Sequence, residues 1–136
     1  MDKIKIFQFI SKQKTAFIAS VNEQGYPVIR AVSKPRIIDG EIYFSTNTSS
    51  NKVKQYSANN QACIYFCKRG KIKYQGVTMI GEMQVCTDQA TKDKMWRFGD
   101  RLFYKQGVTD PDYCVLKFKG ITAEYYCDLK IEKIEL

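Results

Sequence analysis

The sequence predicts a mainly β fold, a small antiparallel barrel with a few short helices, formed by one domain over residues 1–136. Three observations lead there. Most of the chain consists of short β-branched and aromatic runs separated by turns rich in Gly, Asn and Asp. Only three short segments carry helical signals. The turns fall close together, which favours consecutive antiparallel strands, and closing those strands into a barrel removes exposed edges. With 44% hydrophobic residues, the chain is apolar enough to bury one core.

Each element has its own signal. Residues Lys3–Lys12 read as an amphipathic helix, because Ile6, Phe9 and Ile10 share a face. Strands Thr15–Val21 and Pro27–Ser33 flank the turn Asn22-Glu23-Gln24-Gly25-Tyr26. Arg36–Ile38 and Glu41–Thr46 flank Asp39-Gly40, the strongest hairpin signal in the chain. A short helix is expected from about Asn51 to Ala58, with Ser49 or Ser50 as its N-cap. Gln61–Cys67 and Lys71–Cys86 read as a second hairpin around Lys68-Arg69-Gly70. Gly76 and Gly81 in the long strand predict a bulge or bend. Thr87 or Asp88 caps a helix running to about Arg97, and Tyr113–Phe118 and Thr122–Cys127 close the chain as two strands.

Composition narrows the function. The excess of 22 Lys and Arg over 14 Asp and Glu gives a net charge of +8, which favours an anionic partner. The cations are spread along the chain, and the aromatics lie within apolar runs, so core packing explains the aromatics better than nucleic-acid stacking does. No apolar run is long enough for a membrane-spanning helix, and Met1–Lys5 lacks a secretory pattern. The five scattered cysteines (Cys63, Cys67, Cys86, Cys114 and Cys127) form no paired metal motif and suit a reducing cytoplasm. No metal site is expected. The chain has no histidine, which removes the commonest general base and leaves catalysis to a cofactor or to less usual groups.

Two neighbouring features suggest an anion site. Arg30 interrupts the face that Val28 and Val32 share, where an unpaired charge is costly. Taken alone, it reads better as an ordinary Arg–carboxylate pair or an edge position with the guanidinium in water. The run Phe44-Ser45-Thr46-Asn47-Thr48-Ser49-Ser50-Asn51-Lys52 leads from a strand through a hydroxyl-rich loop into a helix start, where free N–H groups beside Lys52 can receive an anion. The local alternative is a simple helix cap and a solvated lysine.

This run resembles the flavin-phosphate motif of the pyridoxamine 5′-phosphate oxidase-like split-barrel family, Phe-Tyr-Thr-Asn-x-x-Ser-Arg-Lys, matched by Phe44, Thr46, Asn47, Ser50 and Lys52. The similarity extends over Thr15–Val21 with Gly25 and Pro27, Arg30, Asn59–Ala62, Ile80-Gly81-Glu82, and Met95-Trp96 through Tyr113. The last stretch looks most like the short general-stress-protein branch.

The resemblance implies an FMN-binding homodimer with the cofactor at the interface. Arg30, Ser50 and Lys52 would hold the phosphate. Ala31 and Val32 would run beside the flavin, while Ser45 and Thr46 would contact its ring and ribityl region. Gln75, Gly76 and Trp96 would come from the partner subunit, although Trp96 also suits a core aromatic. Asn51 stands where the family has Arg, which removes one charge from the clamp and leaves Lys34 to compensate. The tail Tyr125–Leu136 lacks the Arg and Trp of true pyridoxamine phosphate oxidases, which argues against vitamin B6 as substrate. The missing histidine argues against a nitroimidazole-reductase-like or haem-degrading role. The implied function is a flavin-dependent oxidoreductase using a small-molecule electron donor and acceptor. A non-catalytic flavin carrier or sensor is the alternative, and a nucleic-acid-binding module fits less well. No residue stands out as a catalytic acid or base.

Overall fold

A computed structural model describes residues 1–136. The elements run α1 (Lys3–Ser11), β1 (Thr15–Val21), β2 (Pro27–Ser33), β3 (Arg36–Ile38), β4 (Glu41–Asn47), α2 (Asn51–Ala58), β5 (Gln61–Arg69), β6 (Tyr74–Cys86), α3 (Gln89–Met95), β7 (Tyr113–Cys127) and β8 (Lys130–Glu135). All strand pairs are antiparallel, in the order β2-β1-β5-β6-β7-β4-β3, with β8 paired to β7.

That order explains the curl. β2 and β3 lie at opposite ends of the sheet, yet only Lys34 and Pro35 separate them in the chain. Consecutive Cα atoms are about 3.8 Å apart, so the two edges must approach each other. The result is a split barrel, and the split lies where β2 faces β3 and β4.

Inside, alternate residues of the strands fill the core, with Ile18, Ile64, Phe66, Val77, Leu116 and Phe118 fully buried. Helix α1 closes one end with Ile6 and Ile10, while Phe9 meets Tyr125 edge-to-face at 6.2 Å. Burying each such side chain contributes roughly 1.5–3 kcal/mol. Asp2 caps α1 by accepting from Lys5 N at 2.9 Å. A second cluster lies outside the barrel, where α3 and the following loop pack Met95 and Tyr104 against Tyr43, Tyr113 and Val115. Lys92 anchors α3 there by donating from Nζ to Asp110 O at 3.0 Å.

Asp39 and Gly40 turn the β3–β4 hairpin with φ of 53° and 78°, as a two-residue turn with both φ values positive demands. The expected bulge falls at Gly81, where the β6–β7 register shifts and an added Cβ would overlap Lys119 O. Gly76 is paired regularly.

The structure also corrects several boundaries. β5 continues to Arg69 and β6 begins at Tyr74, because Gly70 N donates to Lys73 O in the turn. α3 ends at Met95 and leaves Trp96 as its C-cap. The two closing strands are one, Tyr113–Cys127, and β8 follows it through a turn at Asp128-Leu129.

Candidate functional site

The site is built on the inner face of β2 and the first turn of α2. Arg30 pairs in register with Ile18 of β1, so its side chain enters the face that carries Ala16, Ile18 and Ser20. Arg30 is half-buried there, and its Nη1 donates to Ser20 Oγ at 2.8 Å and Nη2 to Gln55 Oε1 at 3.1 Å. Tyr56, next on α2, fixes the helix against β1 by donating from Oη to Ala19 O at 2.9 Å. Burial pushes the Tyr56 phenol up to about 12, so it keeps its proton at neutral pH.

Lys52 stands one turn before Gln55 and Tyr56 on the same helix. Burial holds its ammonium below the usual lysine range, and the nearby Arg30 charge lowers it further. The ion pairs of the structure join the Met1 amino terminus to Glu132, Lys54 to Glu23 and Lys117 to Glu41. Neither Arg30 nor Lys52 is in any of them. The two cations therefore stand close enough for the charge of Arg30 to lower Lys52, neither has an ion-pair partner, and Arg30 is held in position by neutral groups.

The helix end beside them is open. Ser50 precedes α2 in extended conformation, but its side chain makes no cap and its Oγ donates to Asn47 O at 2.8 Å. This differs from the expected side-chain cap, because the tight turn from Asn47 gives the hydroxyl a nearer carbonyl. The first intrahelical bond runs from Lys54 N to Ser50 O at 3.3 Å, which leaves the earlier N–H groups without a helical acceptor. Asp112 holds the loop just upstream, accepting from Ser49 N at 2.9 Å through Oδ1 and from Thr48 N at 2.7 Å through its backbone oxygen.

Next to this cradle, at the split, lies a cavity of about 320 Å³ lined by Val32, Lys34, Phe44, Ser45, Arg97 and Tyr104, among others. Tyr104 donates from Oη to Asn47 Oδ1 at 2.8 Å, and burial raises its phenol to about 12. Arg97 Nη1 donates to Lys34 O at 3.4 Å, tying the loop after α3 to the segment that closes the barrel.

The structure thus brings Arg30, Val32, Ser45, Ser50, Asn51 and Lys52 around the barrel split and the start of α2. The other expected positions lie apart within one chain, Gln75, Gly76 and Trp96 being expected to act from the partner subunit. Ala31 turns its side chain to the outer sheet face, while its backbone, through which the flavin contact is expected, runs between Arg30 and Val32. Thr46 is buried on the inner face while Ser45 opens into the cavity, so the two side chains do not share a surface. Lys34 and Asn51 line different cavities, so Lys34 does not restore the charge missing at Asn51. Gln75 and Gly76 lie on β6, three strand spacings of about 4.8 Å from β2. Gln75 donates inward from Nε2 to Tyr125 Oη at 2.5 Å. Trp96 packs edge-on against Tyr113, with ring centroids 5.0 Å apart, and lies beside Tyr104.

Gln55, Ser20, Tyr104 and Arg97 were not singled out from the sequence. Two had a visible signal. Ser20 is polar at an inward position of β1, and Gln55 is three residues from Lys52 on one helix face.

The fold is shared with known proteins. The sequence profile of the pyridoxamine 5′-phosphate oxidase family matches residues 3–127. The chain belongs to that family. Its structure is similar to a family protein from Clostridium acetobutylicum related to general stress protein 26 of Bacillus subtilis, with TM-score 0.83 and 30% identity over 98% of this chain and 93% of that one. General stress protein 26 from Bacillus anthracis aligns with TM-score 0.79 and 21% identity over 98% of both chains. The fold also recurs in a haem-binding protein from Mycobacterium smegmatis, with TM-score 0.72 and 11% identity over 90% of this chain and 53% of that one. No curated protein sequence matches the chain.

Proposed function

We propose that the chain binds flavin mononucleotide, with the phosphate between Arg30 and Lys52 at the start of α2, and acts as a flavin-dependent oxidoreductase. The observation that carries this reading is the meeting of two cations without a carboxylate beside an uncapped helix end. Such an arrangement repels itself until an anion arrives. A phosphate dianion supplies that charge, with Arg30 as a fork and Lys52 as a point charge.

The residues present fit the rest of the cofactor. Val32 and Phe44 offer an apolar wall and Ser45 a hydroxyl at the split. Tyr104 keeps its proton and orients Asn47. When bound, flavin supplies hydride and electron transfer itself, so a chain without histidine can still catalyse redox chemistry. The protein's share is to bind, orient and exclude water. The chain also has no histidine to ligate haem iron.

Exposed apolar residues support a homodimer. Ile29 and Ile80 stand 67% and 56% exposed on the outer sheet face, together with Phe17, Ala31, Cys63 and Tyr65. Gly76 lies on this same face, so a partner's Gly76 is better placed than its Gln75 to approach the cofactor. The loop after α3 exposes Phe98, Leu102 and Phe103 next to the cavity, and Trp96 would reach the cofactor from that side. Five free cysteines fit a cytoplasmic protein. A small-molecule electron donor and acceptor would complete the cycle.

The test is to add FMN to the purified protein, remove the unbound portion and supply NAD(P)H without oxygen. A retained flavin spectrum that bleaches and then recovers with an acceptor supports an oxidoreductase. Retained flavin with no turnover above that of free FMN would make the protein a carrier, and a colourless protein would contradict the site.

A further inference from the structure

Beyond the phosphate cradle, on the side away from the split, lies a groove of about 480 Å³ between the β1–β2 turn and α2. Its lining includes Asn22, Gln24, Asn51, Lys54, Gln55 and Asn59. Gln55 belongs to both places: its Oε1 accepts from Arg30 in the cradle, and its residue forms part of the groove wall.

Three of the carboxamides, those of Asn22, Gln55 and Asn59, are committed in one sense only. Asn22 Oδ1 accepts from Gln24 N at 3.0 Å and Tyr26 N at 2.9 Å. Asn59 Oδ1 accepts from Gln61 N at 3.1 Å. Gln55 Oε1 accepts from Arg30 and from Ser20. Backbone N–H groups and a guanidinium can only donate, so these contacts fix which end of each amide is oxygen. The NH₂ ends of Asn22, Gln55 and Asn59 make no hydrogen bond within the chain. With Lys54 they give the groove an excess of donors, and the only carboxylate in its lining, Glu23, is already paired to Lys54 at 3.2 Å. A lining with free donors in excess favours a ligand rich in acceptors. Asn51, where a bulkier cation would stand in the resembling motif, leaves the passage from cradle to groove lined by a short amide.

We propose that this groove receives a second phosphate and nucleoside joined to the first, so that the site takes a flavin dinucleotide in preference to the mononucleotide. This rests on the flavin reading above, since the mononucleotide half would sit as already described.

Calorimetric titration of the full chain with FMN and with FAD tests it. FAD is expected to bind at least about tenfold more tightly than FMN, the size of one charge-assisted hydrogen bond. Asn22→Asp and Asn59→Asp keep the accepted backbone bonds but replace the free donors with charge. In each variant, FAD affinity is expected to fall about tenfold or more and FMN affinity less than about threefold. FMN binding as tightly as FAD, or variants that weaken both ligands equally, would overturn the dinucleotide proposal and leave the flavin site standing. Failure to bind either flavin would overturn both.

Discussion

Arg30 Nη2 lies 3.1 Å from Gln55 Oε1, so the guanidinium is held by an amide and keeps its charge. A carboxylate at that position would hold it as well but neutralise it. The account therefore predicts that Gln55→Glu costs flavin affinity about tenfold or more while leaving the fold intact or more stable, because it builds the ion pair that the native site avoids. Titration with FMN and a thermal melt of the same sample check both halves.

Lys52 gives a pH dependence with opposite signs for stability and binding. Its folded pKa is below the ordinary 10.5, through burial and then Arg30. Between the folded and unfolded values the unfolded chain binds more protons, so the ligand-free protein gains stability as pH rises through that window. Flavin affinity moves the other way, because the phosphate loses a cationic partner as Lys52 deprotonates. Affinity also falls in acid as the phosphate takes up its second proton near pH 6. Denaturation and binding measured across alkaline pH should diverge, and Lys52→Arg should remove the alkaline loss of affinity.

Gly81 is predicted to tolerate no side chain. At the β6–β7 bulge an added Cβ overlaps the Lys119 backbone oxygen, and backbone cannot swing aside as a side chain can. Gly81→Ala should cost about 2–4 kcal/mol in urea unfolding. A loss below about 0.5 kcal/mol would show that the bulge relaxes freely.

The proposed dimer makes a further prediction. Ile80 is 56% exposed on an apolar outer face, so Ile80→Lys should dissociate the protein to monomers and weaken flavin retention together. Light scattering with absorbance detection reads both. A dimer that persists with its flavin would place the interface elsewhere.

The parts legible in sequence were those governed by local chemistry. Asp39-Gly40 announced its hairpin because both residues accept positive φ. The turn before β8 did not, because it places Leu129 at φ 67°, a conformation that a branched side chain rarely adopts. Lys119-Gly120-Ile121 looked like a break, but Gly120 sits opposite Gly81 at the bulge and β7 passes through. Arg30 and Lys52 were found through their motif positions. Their supports were not: whether Arg30 would meet a carboxylate or an amide depended on how β1, β2 and α2 converge, and no local pattern encodes that. The same convergence gave Gln55 its part in the site.

Whether the phosphate sits between Arg30 and Lys52 is read from the FMN dissociation constant of the native protein beside Arg30→Ala and Lys52→Ala, each at low and high salt. Saturable binding to the native chain is expected, weakened about tenfold or more by either substitution, with a shallower salt dependence in both variants. Equal affinity in all three proteins would contradict it, since the phosphate would then be held somewhere other than between Arg30 and Lys52.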